Sequence, residues 1–243
     1  MKIILTSESS INGDLENISA KRGILISKKI VLEIKPHDVG ETYNKAAEEF
    51  ENIIFQSKNA VIHSIAIHNS LAKNESAKMY CLGKYTKVEL QKYFKNEVIH
   101  PIYEYSSENL LSVIGEIDIK NRSYLIIKGS GGRDFLEKEI RRLGGVVKVA
   151  CMYKRITRKD FLKEQDLLEN KNNYLVVSSK TALTSLLDRI KKFELEYKII
   201  LVVPNERIVE DGDSGLISDI MVIPNDSNAK EYIKLIEEHN GKQ

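Results

Sequence analysis

The chain has 243 residues, enough for one large domain or two small ones. Hydrophobic residues make up 42% and charged residues 30%, and 37 basic against 35 acidic side chains leave a net charge of +2, so the chain as a whole is not a polyanion binder by charge. With no Trp and six Phe, a base-stacking nucleic-acid surface is not expected, and no run approaches the roughly 18 apolar residues of a membrane span.

The opening MKIILTSESS has too short an apolar run for a signal segment. The two cysteines, Cys81 and Cys151, sit in strand-like runs outside any C-x-x-C pattern. They read as reduced, buried thiols of a cytoplasmic protein. His63 and His68 are five apart, not the i, i+4 of a helical metal pair, and read as surface or satisfied residues; no metal is expected.

Short apolar runs alternate with helical patterns along the chain. Residues 3–5 read as a first strand, followed by the hydroxyl-rich Thr6, Ser7, Glu8 and Ser9, where an α/β sheet can bind a ligand or simply cap a turn. Residues 30–34 read as a strand broken by Lys35-Pro36, and residues 42–50 as a helix. Residues 53–55 form a strand ending in the loop Gln56-Ser57-Lys58-Asn59. The spacing then predicts one helix over 60–71 with Val61, Ile65 and Ala66 inward. A strand over 78–82, the turn Gly83-Lys84-Tyr85-Thr86, a helix through Tyr93, a strand over 98–102 and a helix over 107–114 follow.

Residues 121–155 then form one strand–loop–helix–strand unit. A buried strand over 123–128 runs into Gly129, Ser130, Gly131 and Gly132. Asp134 stands where an N-cap would. Leu136, Ile140 and Leu143 share one helix face, Gly144 and Gly145 stop the helix, and a strand runs over 146–153. A Gly-rich βα turn flanked by Lys128 and Arg133 suits a phosphate or carboxylate; a tight turn that binds nothing fits equally. No Gly-Lys-Ser/Thr follows the glycines, and the spacing is not the dinucleotide fingerprint. Residues 120–159 carry twelve Lys/Arg against three Asp/Glu, a local excess of 12 − 3 = +9, part of which (Lys138, Arg141, Arg142) belongs on a solvent face. Beyond it the pattern predicts a helix bearing Phe161, Leu162, Leu167 and Leu168. A strand over 174–177 ends in Ser178-Ser179-Lys180-Thr181 and leads into a helix with Leu183, Leu186, Leu187 and Ile190. Strands over 199–203 and 220–223 and a helix over 229–239 close the chain.

This alternation means βαβ units and parallel sheets. ENIIFQSKNAV at 51–61 parallels NYLVVSSKTAL at 173–183, an internal repeat with one copy per domain. The copies place residues 1–34 with 156–243 in one discontinuous domain and insert 36–153 as the other, with hinge strands near 33–36 and 153–158. A single continuous doubly wound sheet is the alternative.

Several motifs, in order, resemble the uroporphyrinogen-III synthase (HemD-like) family: Phe55-Gln56-Ser57-Lys58-Asn59-Ala60-Val61, Leu82-Gly83-Lys84-Tyr85-Thr86, Ser107-Glu108-Asn109-Leu110-Leu111, Lys128-Gly129 with Gly132-Arg133-Asp134-Phe135-Leu136, Met152-Tyr153-Lys154-Arg155, and Ser178-Ser179-Lys180-Thr181-Ala182-Leu183. The chain departs from the family at Thr6-Ser7, where Thr-Arg is usual, at Gln56, where Thr is usual, and at Pro204-Asn205, where Gly-x-x-Thr is missing. The resemblance implies two flavodoxin-like parallel-sheet domains joined by a two-stranded linker, with the active site in the cleft. It implies cyclisation of linear hydroxymethylbilane to uroporphyrinogen III, with ring D inversion and loss of water and without a cofactor. A monomer is the default expectation. It implies catalytic roles for Tyr153 and Thr86. Donors for the eight substrate carboxylates are then Thr6, Ser7, Ser57, Lys58, Asn59, Lys128, Gly129, Ser130, Arg133, Ser178, Ser179 and Lys180. Other readings of the same residues are a non-catalytic binding protein for an anionic small molecule, a synthase-like domain with decayed activity, and an enzyme of sugar or nucleotide phosphates.

Overall fold

The computed structural model describes residues 1–9, 11–37, 48–115, 119–209, 214–224 and 227–242. The expected helix over 42–50 lies mostly outside them. The chain divides into two compact units, Met1–Glu33 with Ile156–Gln243, and Ile34–Arg155.

The first unit holds β1 (Lys2–Leu5), α1 (Asn12–Lys21), β2 (Leu25–Lys28), β9 (Asn173–Val176), α7 (Lys180–Ile190), β10 (Ile199–Val203), β11 (Asp219–Val222) and α8 (Ala229–Gly241). Its parallel sheet runs β2-β1-β9-β10-β11, the flavodoxin order 2-1-3-4-5. The strands are apolar on both faces because both are covered. Ile4, Leu175 and Leu201 face α7, whereas Ile3, Tyr174 and Ile200 face α1 and α8.

The second unit holds β4 (Asn52–Phe55), α2 (Lys58–Ile62), α3 (Ile65–Lys73), β5 (Lys78–Cys81), α4 (Lys84–Leu90), β6 (Val98–Ile99), α5 (Ser107–Ile114), β7 (Ser123–Gly129) and α6 (Phe135–Arg142). Two strands connect the units, β3 (Leu32–Pro36) and β8 (Val146–Thr157). The sheet order is β6-β5-β4-β7-β8-β3. Without β3 this is the doubly wound order 3-2-1-4-5, so the flavodoxin order holds for the first unit and not for the second: β7 pairs with β4 on the side away from β5. The His37 N–H donates to Met152 O and the Arg158 N–H to Val31 O, so β3 and β8 run antiparallel.

Four local expectations change. The helix expected over 60–71 breaks at His63-Ser64 into α2 and α3, and the break resets the helical phase. Ile65 (59% exposed) and Ala66 therefore face out, while Ile67 and Leu71 are buried. β3 runs on through Lys35 and ends at Pro36 instead of breaking before them, because an edge strand tolerates a residue without an N–H. The strand at 98–102 stops at Ile99, and Ile102 is exposed. The helix expected around Phe161–Leu168 is a single 3-10 turn, Glu164–Asp166. Two elements have no clear sequence signal: α1 is mostly polar, with Leu15 its one fully buried large side chain, and β2 is a half-exposed edge strand.

Asn173 explains why the 3-10 segment stays in place. It is fully buried at the start of β9. Its Nδ2 donates to Leu168 O, Lys171 O and Lys198 O, at 2.9, 3.0 and 3.3 Å, and its Oδ1 accepts from the Leu168 N–H at 2.8 Å. Asn173→Ala takes the side-chain partner from the Leu168 N–H and from Leu168 O and Lys171 O, while Lys198 O keeps the Asn173 N–H at 2.9 Å, and should lower stability by about 2 kcal/mol. Urea denaturation checks this; a variant as stable as the parent would remove the role assigned to Asn173.

Candidate functional site

Ligands of open α/β sheets bind beyond the carboxyl ends of the strands, where strand order reverses. In the second unit that point lies between β4 and β7, and in the first between β1 and β9.

At the first of these points Ser57, two residues past the end of β4, caps α2: its Oγ accepts the Ala60 N–H at 3.1 Å. β7 ends in Gly129. Opposite it β8 carries a bulge, for Lys128 pairs with Cys151 but Gly129 pairs with Tyr153. A bulge re-aims side chains, and this one brings the Tyr153 ring over Gly129. A Cβ at Gly129 would lie 2.5 Å from Tyr153 Cζ and 2.6 Å from Cε2, so the ring requires glycine there. The phenol is held from two sides, with Ser57 Oγ at 3.0 Å and Arg155 Nη2, which donates, at 3.1 Å. The Arg155 guanidinium also lies 5.3 Å from the ring centre and the His63 ring 5.5 Å. Tyr153 is only 2% exposed. Beside it the Ser130 N–H donates to Tyr153 O at 2.7 Å, and Ser130 Oγ lies 2.8 Å from His37 Nε2.

Ser57, Gly129, Ser130 and Tyr153, all expected site residues, thus form one cluster. His37, His63 and Arg155 belong to it as well and were not among the expected site residues, although Arg155 stands in the Met152–Arg155 motif and His63 reads from sequence as a surface or satisfied residue. Only Arg155 carried a signal, two residues from Tyr153 and so on the same face of β8.

Lys128 does something other than expected. It is buried, and its Nζ donates to Gly132 O and Arg133 O at 3.1 Å each and to Asp134 Oδ1 at 2.6 Å. Its charge is turned onto the chain's own turn and not toward a ligand. Asp134 accordingly makes no side-chain cap to α6. The hydrogen bond from Lys128, then its charge, holds the Asp134 carboxyl below the usual carboxylate range. Arg133 remains at the surface, paired with Glu108. Two of the excess cations are offset by acids from outside the stretch, Arg133 by Glu108 and Arg122 by Glu51, while Arg141 with Glu137 and Arg142 with Glu139 pair within the helix.

Lys58 and Asn59 form the first turn of α2 and not a loop. Lys58 Nζ is 3.7 Å from the buried Glu89, which also holds Lys92 at 2.9 Å. Thr86 is buried in the first turn of α4. Gly83, which precedes α4, packs under Tyr105. Cys81 is buried, which pushes its thiol up to about 11, and Cys151 is half-buried. Among the described residues no His/Cys/Asp/Glu group is placed to hold a metal ion, and no helix is long and apolar enough to cross a membrane.

In the first unit the corresponding point joins Ser178 to Ser7, Oγ to Oγ at 2.9 Å. Ser179 caps α7 through the Ala182 N–H, as Ser57 caps α2. Lys180 is exposed. Thr6 is buried, and its hydroxyl donates to Val176 O at 2.6 Å; this ties β1 to β9 and takes Thr6 out of the expected ligand contacts.

A family model, Uroporphyrinogen-III synthase HemD, matches residues 29–204, well over half of the chain. The chain belongs to the uroporphyrinogen-III synthase family. Among curated relatives, uroporphyrinogen-III synthase of Proteus mirabilis is 30% identical over 118 residues, which is 48% of this chain and 59% of that protein, so the alignment spans a little over half of the relative's length. Two solved structures have the same fold. A mutant uroporphyrinogen III synthase from the extremely thermophilic bacterium Thermus thermophilus aligns with 100% of this chain and of its own at a TM-score of 0.64 and 11% identity. Uroporphyrinogen-III synthetase from Helicobacter pylori aligns with 97% of this chain and 99% of its own at a TM-score of 0.64 and 16% identity. At such identities the likeness is one of fold. The structural match extends the family's two parallel-sheet α/β architecture over the ends that the family model leaves out.

Proposed function

We propose that this chain is a uroporphyrinogen-III synthase, a cyclising hydro-lyase that converts the linear tetrapyrrole hydroxymethylbilane to uroporphyrinogen III in haem biosynthesis. The observation that carries the reading is the wired phenol of Tyr153 at the β4/β7 switch point of a chain of this family. The reaction needs a proton for the departing hydroxyl, after which the pyrrole nitrogen stabilises the cation left behind. It also needs the flexible chain held so that ring D attacks through its substituted carbon, which is catalysis by positioning. Tyr153 is the proton source, and Thr86 orients the reacting end. The substrate carboxylates meet hydroxyls, N–H groups and cations from Ser57, Lys58, Asn59, Gly129, Ser130 and Arg133 in the second unit. Ser7, Ser178, Ser179 and Lys180 serve in the first. Lys128 and Thr6 act one step behind, by holding the turns that carry these groups. Residues 36–153 form a domain inserted into 1–34 and 156–243, and the protein works as a cytoplasmic monomer without nucleic-acid partners or a cofactor.

The test is product analysis. Purified protein is given hydroxymethylbilane generated in situ, the products are oxidised, and the porphyrin isomers are separated. Isomer III above the spontaneous isomer I background is the expected result. Isomer I alone, from protein with a cooperative unfolding transition, would overturn the proposal.

A further inference from the structure

We infer that the proton Tyr153 supplies reaches the leaving hydroxyl through Ser57, whose own hydroxyl makes the last transfer, with Arg155 acting behind the pair. This rests on the cyclisation proposed above. Arg155 has only donors, so its Nη2 at 3.1 Å occupies a lone pair of Tyr153 Oη. Among the described residues the phenol's other polar partner is Ser57 Oγ at 3.0 Å, so we assign the phenolic hydrogen to Ser57. Ser57 Oγ also accepts the Ala60 N–H at 3.1 Å. With both lone pairs of the serine oxygen engaged, its own hydrogen is directed away from Ala60 and Tyr153.

Exposure points the same way. Tyr153 is 2% exposed, whereas Ser57 is half-buried at the strand end. A substrate oxygen reaches the serine hydroxyl first. The internal repeat supplies a comparison, since Ser179 caps its helix in the same manner and, among the described residues, its side-chain hydrogen bond is the cap alone. The phenol behind Ser57 is therefore additional to what helix capping requires.

In the relay, the C–O bond of the hydroxymethyl group breaks while the Ser57 hydroxyl hydrogen moves to the departing oxygen, which leaves as water. The Tyr153 proton moves to Ser57 Oγ, and the phenolate that remains is paired with the Arg155 guanidinium. The pyrrole nitrogen supplies the electron pair that stabilises the carbon centre. Ring D attacks this centre through its substituted α-carbon, the bond from that carbon to its old methylene bridge then breaks, and the freed methylene carbon bonds to the unsubstituted α-carbon of ring D. That carbon loses its hydrogen as ring D regains aromaticity, and the proton returns through Ser57 to the phenolate. No oxidant or reductant enters.

The test compares steady-state isomer III formation by the full chain carrying Ser57→Asn, Ser57→Thr, Tyr153→Phe, Arg155→Met or the pair Ser57→Asn/Tyr153→Phe. Asn is a good N-cap without a hydroxyl, so it separates the relay from the cap. The relay predicts that Ser57→Asn and Tyr153→Phe each lower kcat on the order of 10²-fold with little change in KM. It predicts that the pair is no worse than either alone and that Ser57→Thr stays near the parent. Arg155→Met, at an exposed position, should also lose kcat and not KM. Parental kcat in Ser57→Asn, or losses that multiply in the pair, would overturn the relay while leaving the cyclisation intact. Parent protein that yields only isomer I would remove the cyclisation and the relay together.

Discussion

Gly129→Ala should be strongly damaging. The added Cβ would stand 2.5 Å from Cζ and 2.6 Å from Cε2 of a ring that is itself buried, and 2.9 Å from its hydroxyl. Tyr153 cannot swing aside cheaply, because its hydroxyl is held by Ser57 and Arg155 and its carbonyl by the Ser130 N–H. Overpacking of this kind costs typically about 1–3 kcal/mol, and a held ring belongs at the upper end. Thermal or urea unfolding of the variant measures it. Activity should fall with stability, since any relief moves the phenol off Ser57. The double variant Gly129→Ala/Tyr153→Ala decides the cause: if the clash is the mechanism, much of the Gly129→Ala loss disappears once the ring is gone. Additive losses would mean that glycine is needed there for some reason other than the ring.

Lys128→Met should be nearly as costly, and its effect should depend on pH. The buried Nζ donates to two backbone carbonyls and a carboxylate of the segment between β7 and α6. Losing three charge-assisted bonds from one buried ammonium makes the expected loss about 3 kcal/mol. The turn that carries Ser130 and Arg133 should loosen, so KM should rise together with the loss of stability. The pH dependence comes from Asp134, whose carboxyl is held below its ordinary range by the Lys128 hydrogen bond and charge. A depressed folded pKa means that this contribution is fully present above the ordinary carboxylate value. It is lost as pH falls through the lower folded value. The stability gap between parent and variant should therefore narrow in acid. A gap that widens as pH falls would show that Asp134 is not Lys128's partner in solution. Unfolding at neutral and acidic pH provides the comparison.

Both variants act on residues whose importance was visible in the sequence but whose roles were not. The glycine turn, the flanking lysine and the following tyrosine stand out as types in a strand–loop–helix–strand pattern. That pattern is local, and local hydrogen bonding with period-two and period-3.6 apolarity is what a linear sequence encodes. The parallel α/β class and the repeat of Ser57 with Ser179 could be read for the same reason, because each copy makes its own strand, cap and helix from contiguous residues. The family likeness rests on the same strand-end motifs.

The pairing of distant residues could not be read. Ser57 meets Tyr153 because β4 and β8 flank β7, and the bulge opposite Gly129 turns the tyrosine inward. His37 joins through Ser130 only because β3 pairs with β8 at the sheet edge. The direction of Lys128 was likewise hidden, since a lysine beside a glycine turn serves a ligand or the turn itself according to which way its stem packs. The break after α2, which turns Ile65 out and Ile67 in, shows the same limit within a helix. By itself the sequence determined most of the strands and helices and the strand-end segments that could carry chemistry. Tertiary structure decided which of those segments stand side by side and which polar atoms are left facing outward. Strand order, register and bulges are set by contacts between residues far apart in the chain, whose packing no local pattern encodes.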